Sequence, residues 1–264
     1  MQNFAFHTPN SVADALAALR AAGDGRLLAG GQSLIPMMKL GRAAPSDLVS
    51  LGAVAALRGV RREGDALVVG AMTTHTAVVD SPEVREHLPG LAALVEVIGD
   101  PQVRNRGTIG GAAVHNDPAA DYPAGVLGLG ASVITDRREI PADHFFRGAF
   151  TTALEEDEIV TALRFPLPAK AGYCKFANPA SGFALVGVMV SDGSAGARVA
   201  VTGAGSSVFR WEEAEAALSN DFSAAALEGL TPPVARMVTD AAASADYRAH
   251  LAGVMARRAV AACA

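Results

Sequence analysis

Apolar side chains at Val12, Ala15, Leu16 and Leu19 fall on one helical face, after a capping Ser11 and before a terminating Gly23, so residues 8–23 are expected to hold a helix. The short apolar run Leu27-Leu28-Ala29 reads as a buried strand that runs straight into Gly30-Gly31. Ser33 to Leu40 follows as a short helix and Asp47 to Leu51 as another strand. This strand, glycine loop, helix, strand unit is the arrangement in which helix N-termini meet phosphate groups. From Leu57 to Met72 the pattern becomes an alternation around Arg62-Glu63-Gly64-Asp65, which predicts a hairpin. Thr73 to Thr76 opens a helix, and Ser81-Pro82-Glu83 opens a second with an apolar stripe at Leu88, Leu91, Leu94, Val95 and Ile98. Gly99 and Pro101 end that helix, and a loop carrying Thr108-Ile109-Gly110-Gly111 comes next. Pro118 to Leu129 reads as a helix, Ala131 to Thr135 as a strand, Ile140 to Phe150 as a loop or short helix, and Glu158 to Phe165 as a strand.

Pro166-Leu167-Pro168-Ala169-Lys170-Ala171-Gly172 has the composition of a linker. Beyond it, Tyr173 to Phe176, Phe183 to Val190 and Arg198 to Thr202 read as three strands, the last two joined across Ser191-Asp192-Gly193-Ser194. Helices are expected around Glu212 to Leu218, Pro233 to Ala243 and Tyr247 to Ala262. The fold class is therefore α+β, with a C-terminal domain built on a small antiparallel sheet.

Composition narrows the function. The 264 residues are 50% hydrophobic and 19% charged, an ordinary globular balance. A net charge of −5, three Tyr and one Trp argue against nucleic-acid binding, which needs a basic face and stacking platforms. Cys174 and Cys263 are too few for an iron–sulfur cluster, which takes about four thiolates. The N-terminus lacks the basic and apolar regions of a signal peptide, so a cytoplasmic location is expected.

Two glycine pairs remain as the candidate chemistry. Adjacent glycines let a backbone turn with its amides exposed, and such a run can cradle an anion. Both pairs also fit tight turns between buried strands. Gly128-Leu129-Gly130 and Gly203-Ala204-Gly205 lack the third glycine of a dinucleotide fingerprint, and no Gly-Lys-Ser/Thr or G-x-S-x-G run occurs. None of His7, His75, His87, His115, His144 and His250 has metal-ligand spacing, and His115, the only one in a candidate site, reads as a hydrogen-bonded loop histidine. Asp117 reads as a helix cap or, sharing a helical face with Asp121, one of the two accepts hydrogen bonds from ligand hydroxyls. Arg104 and Arg106 read as solvated or interfacial or as partners of phosphate, and Glu155-Glu156-Asp157-Glu158 as a solvated loop.

Ala29-Gly30-Gly31-Gln32-Ser33-Leu34-Ile35-Pro36-Met37-Met38-Lys39-Leu40 followed by Thr108-Ile109-Gly110-Gly111 resembles the paired flavin motifs of the medium, FAD-binding subunit of molybdenum hydroxylases, the aerobic carbon monoxide dehydrogenase and xanthine dehydrogenase family. The likeness extends to Asp100-Pro101-Gln102-Val103-Arg104, to Asp117-Pro118-Ala119-Ala120-Asp121-Tyr122-Pro123-Ala124, and to Tyr247 through Ala259. It implies a PCMH-type FAD-binding domain over residues 1–168, made of two α/β subdomains of about 1–55 and 56–168, and a C-terminal domain over 172–264 with a three-stranded antiparallel sheet and helices.

The resemblance also implies the cofactor and its contacts. Leu28, Ala29, Gly30, Gly31, Gln32, Ser33 and Leu34 would hold the FAD pyrophosphate with Thr108, Ile109, Gly110 and Gly111, through backbone amides and the Ser33 and Thr108 hydroxyls. Ile109 would lie against the isoalloxazine, Phe183 near its other face, and Asp121 would bind on the flavin side. The family pattern has Asn after the second glycine pair where this chain has Ala112. Gln32 stands where some relatives have His, which implies non-covalent FAD. By the same resemblance the chain passes electrons, received from [2Fe–2S] clusters of a small subunit, through FAD to an external acceptor. A large subunit carries the molybdenum cofactor, and a dimer of heterotrimers is expected. Two other readings stay open from the residues: a self-contained flavin oxidoreductase with its own substrate pocket, and a non-redox scaffold of the same fold.

Overall fold

A computed structural model describes residues 2–263. The chain opens with β1 (Ala5–His7), α1 (Val12–Ala21), β2 (Gly25–Leu28), α2 (Leu34–Lys39) and β3 (Asp47–Ser50). Ser11 caps α1, its hydroxyl accepting from the Asp14 amide at 3.0 Å. The three strands form a parallel sheet in the order β1-β3-β2. In a parallel sheet the carboxyl ends of the strands share an edge, where ligands characteristically sit. The Gly30-Gly31 loop leaves β2 at that edge.

Two 3₁₀ turns, Leu51–Ala53 and Ala55–Leu57, lead into the hairpin β4 (Val60–Glu63) and β5 (Ala66–Gly70). Six short helices come next: α3 (His75–Val79), α4 (Pro82–His87), α5 (Pro89–Glu96), α6 (Pro101–Arg106), α7 (Ile109–His115) and α8 (Tyr122–Gly128). The subdomain closes with β6 (Ser132–Thr135), β7 (Glu139–Pro141), α9 (Ala142–Phe145), β8 (Phe146–Gly148), β9 (Thr151–Thr152) and β10 (Val160–Pro166). Its sheet runs β4-β5-β10-β6-β7, every pair antiparallel.

The expected single helix after Ser81 is two, because Pro89 removes the amide that would carry the helix past Leu88. The region expected as one loop around the second glycine pair is helical twice over. Asp100 caps α6 by accepting from the Val103 amide at 2.7 Å, with Pro101 in its first turn. The acidic run 155–158 is not simply solvated: Glu158 is buried, and Arg138 at 2.8–2.9 Å and the Thr135 hydroxyl at 2.8 Å pull its carboxyl down to about 2.

The C-terminal part has β11 (Lys170–Ala177), β12 (Ala184–Gly193), β13 (Gly196–Thr202), β14 (Phe209–Arg210), α10 (Glu212–Asn220) and α11 (Ala245–Ala261). The three expected strands are there, with two-residue β14 added at the edge of the antiparallel sheet. The helix expected over 233–243 reduces to one 3₁₀ turn, Val234–Arg236, just after Pro232-Pro233. Pro166 to Gly172 is not a free linker. Pro166 ends β10, Lys170 begins β11, and the intervening amides of Leu167 and Ala169 donate to Asp65 and Asp192 carbonyls at 3.0 and 2.7 Å. Tyr173, Met189 and Ala200 of the C-terminal sheet also belong to the main core with Leu91, Leu94 and Ile109, so this core spans the second subdomain and the inner face of the C-terminal sheet. The N-terminal subdomain and the outer face of that sheet have buried clusters of their own.

Candidate functional site

The first glycine loop is an open row of donors. Among the described residues, nothing accepts from the amides of Gly30, Gly31, Gln32, Ser33 or Leu34, and the loop is only half-buried. Gly31 has φ +77°, where a Cβ is strained, and this is how the chain turns from β2 to α2 within five residues. Gly30 has no room for a side chain either, because a Cβ would run into the Arg106 carbonyl. The loop is thereby pressed against the end of α6, which brings the two glycine pairs into one place. Gly111 completes the junction, with its Cβ position 3.3 Å from the Ala29 Cβ.

The second pair is built differently from the open turn expected. Thr108 caps α7, its hydroxyl accepting from the Gly111 amide at 3.2 Å. The Ile109 amide donates to the Thr73 carbonyl, the Gly110 amide to Ala71 and the Ala112 amide to Thr108, at 2.9–3.1 Å. No amide from Ile109 to Ala112 is free, so the expected backbone clamp from this side is absent in this geometry. Ile109 is fully buried in the core, which also withdraws its side chain from the expected flavin contact. Gly111 and Ala112 are half-buried and form the surface this segment shows beside the first loop.

Asp121 departs from expectation in the same way. It is 4% exposed, with the Tyr173 hydroxyl donating to Oδ1 at 2.6 Å and Lys175 Nζ to Oδ2 at 3.1 Å. Burial pushes its carboxyl up, against the pull of the Lys175 ammonium and the Tyr173 hydroxyl. Lys175 also donates to the Val97 carbonyl at 2.7 Å, so the carboxylate ties α5, α8 and β11 together. Asp117 accepts from the Ala119 amide at 2.9 Å in a local turn, and α8 begins only at Tyr122. Phe183 is 49% exposed at the end of a turn, and the next amide, Ala184, donates to the Ala119 carbonyl at 3.1 Å. The aromatic ring is thus carried beside the 117–120 segment.

His75, which no sequence pattern singled out, lies buried beneath the second loop. Its amide donates to the Gly107 carbonyl at 3.0 Å, and a Cβ on Gly107 would strike its ring. Burial, assisted by the Arg104 charge, lowers its imidazole to about 4, so it is neutral at physiological pH. Its ring sits 5.0 Å from that of Tyr122, and neither Nδ1 nor the Tyr122 hydroxyl has a hydrogen-bond partner among the described residues. A cavity of about 340 Å³ lined by Arg58, Gly59, Met72, Thr73 and Glu83 includes no residue of either glycine pair.

A parallel β–loop–α unit with free amides, packed beside a second, helix-borne glycine pair, suits a phosphate-containing cofactor. Residues 2–168 match the family described as the FAD binding domain in molybdopterin dehydrogenase, and the chain belongs to that family. It is 37% identical to the carbon monoxide dehydrogenase medium chain of Hydrogenophaga pseudoflava, over 97% of this chain and 96% of the relative. It is 36% identical to the nicotine 6-hydroxylase medium subunit of Paenarthrobacter nicotinovorans, over 97% and 95%. In structure it is similar to a carbon monoxide dehydrogenase from Hydrogenophaga pseudoflava, with TM-score 0.89, 38% identity and coverage of 99% and 97%. Quinoline 2-oxidoreductase from Pseudomonas putida 86 gives TM-score 0.87 at 29% identity, with coverage of 98% and 96%. The mixed helix and sheet architecture and the FAD class of cofactor accord with the resemblance read in the sequence. No helix of the described residues is long and apolar enough to cross a membrane.

Proposed function

We propose that this chain is the FAD-binding medium subunit of a heterotrimeric molybdenum hydroxylase or dehydrogenase, cytoplasmic, and assembled as a dimer of heterotrimers. A large subunit carries the molybdenum cofactor, and a small one carries the [2Fe–2S] clusters. The observation that carries the reading is the row of five unpartnered amides from Gly30 to Leu34, a donor set suited to a pyrophosphate. Leu28, Ala29 and Gln32 shape that loop, and the Ser33 hydroxyl adds a donor. Gly111 and Ala112 form the facing wall, with Thr108, Ile109 and Gly110 setting the position of that wall from inside the core. Phe183 offers an aromatic face for the isoalloxazine. Asp121 acts by anchoring the 117–121 segment to Tyr173 and Lys175.

Bound FAD would supply the redox chemistry between the clusters of the small subunit and an external acceptor. The protein holds and orients it, and no acid or base of this chain is required. Relatives named for carbon monoxide and for nicotine share this subunit type, which supports a substrate site in the large subunit and not in this chain. The test is to express the chain alone and with its neighbouring genes, then follow the flavin spectrum on adding substrate. Flavin bound in both preparations, and bleached by substrate only when the partner chains are present, is the expected result. Bleaching by the isolated chain overturns the subunit role.

A further inference from the structure

The outward face of α7 leads from the glycine junction to a histidine with no partner. Ile109, Gly110, Ala113 and Asn116 are buried, while Gly111, Ala112 and His115 are half-buried. His115 lies three and four residues beyond Ala112 and Gly111, so the three share one face. From Gly111 to His115 the helix rises about 6 Å, which is within the reach of a ribityl chain. The chain then continues through the 117–120 segment to the place where the Ala184 amide meets the Ala119 carbonyl, next to Phe183. Among the described residues, no hydrogen-bond partner meets the His115 ring.

That imidazole is held in place by an arrangement with a conformational cost. Phe150 packs its ring 5.2 Å from the His115 ring, at 49°. It does so at φ 55°, in the left-handed region that a bulky side chain disfavours, and remains 59% exposed. Asn116, buried at the end of α7, enforces this geometry. Its carbonyl accepts from the Phe150 amide at 3.0 Å, and its Nδ2 donates to the Gly148 and Thr151 carbonyls at 2.8 Å each. A strained, largely exposed phenyl ring adds little to the core, and what it touches is the imidazole. Strain held in this way by its surroundings is typical of functional sites.

We propose that His115 is a hydrogen-bonding contact for the isoalloxazine end of the cofactor, with Phe150 as the residue that positions it. The inference rests on the flavin reading of the glycine junction. It goes beyond that reading in assigning two residues outside both glycine motifs. His115 would meet the polar edge of the ring system, and Phe183, carried beside the 117–120 segment that follows α7, would lie against its face.

The test uses the full-length chain stripped of flavin, titrated with FAD by fluorescence quenching, and the midpoint potential of the bound flavin. His115→Ala is expected to bind FAD about threefold to tenfold more weakly, the range of one hydrogen bond. Its potential shifts as well, because oxidised and reduced flavin differ in acceptor strength at that edge. His115→Asn, which keeps a donor, recovers most of both. Phe150→Gly relieves the positive φ, so its unfolding temperature is unchanged or higher while its FAD affinity falls; a purely structural contact would not separate the two. Wild-type affinity and potential in both His115→Ala and Phe150→Gly, with FAD binding lost in Gly31→Ala, overturns the inference and leaves the flavin site standing. Wild-type FAD affinity in Gly31→Ala overturns the site itself, and the inference with it.

Discussion

Gly30-Gly31 and Gly110-Gly111 look alike in the sequence, yet each is glycine for a different reason. The first pair is a turn: Gly31 has positive φ, and the five amides from Gly30 onward have no acceptor among the described residues. The second is the first turn of α7, with its amides bonded to Thr108, Thr73 and Ala71. There glycine is demanded by packing, since a Cβ on Gly110 would lie 2.6 Å from the Ala71 Cβ and 2.7 Å from the Ala71 carbonyl oxygen. One pair is open toward a ligand, and the other braces the framework against which the ligand is held. A glycine motif is therefore not evidence of a phosphate nest until its amides have been accounted for.

The largest effect separating the two pairs should come from Gly110→Ala. Its new methyl meets backbone that has no rotamer to turn aside, so a loss of about 1–3 kcal/mol is expected, read as a lower unfolding temperature. FAD affinity per folded molecule should stay near wild type. A variant that unfolds like wild type but loses FAD would erase the distinction. Gly31→Ala should give the opposite profile: a stability cost of about 1–2 kcal/mol from the left-handed backbone, and a loss of FAD affinity that exceeds anything seen at Gly110. Normal FAD binding there would mean that the free amides serve nothing. The smallest change is expected from Ala112→Asn, which adds a side-chain donor to the facing wall. FAD should bind about threefold to tenfold more tightly with the unfolding temperature unchanged, as measured by titration beside a thermal melt. Weaker binding would show that the wall has no space for the longer side chain.

The parts of the fold legible in the sequence are those where one local signal suffices. Helix α1 carried both a cap and an apolar stripe, and the β4–β5 hairpin carried its alternation and its turn. Helix α6 was hidden because Pro-Gln-Val-Arg-Asn-Arg has no apolar face, and only its Asp100 cap and Pro101 marked it. Helix α7 was hidden because Gly110-Gly111 reads as a turn, whereas tertiary contacts with Ala71 and Thr73 hold it helical. The candidate site shows the same division. The first loop could be read from its residues alone, while the roles of Asp121 and Glu158 depended on Lys175, Tyr173 and Arg138, which lie far away along the chain. His75 left no trace in the pattern, because a single histidine at a helix start does not say what will cover it.

The 117–121 segment has one more consequence. Its carbonyls at Pro118 and Ala120 lie 3.0 and 2.7 Å from the Thr202 hydroxyl, the Gly203 amide donates to Pro118, and its terminal carboxylate belongs to Tyr173 and Lys175. The stretch that the family pattern assigns to residues 2–168 is thus pinned from outside that range. The unit that recurs in sequence and the unit that can stand alone are not the same object. A fragment cut after Pro168 would keep both glycine motifs and lose the contacts that hold the 117–121 segment in place.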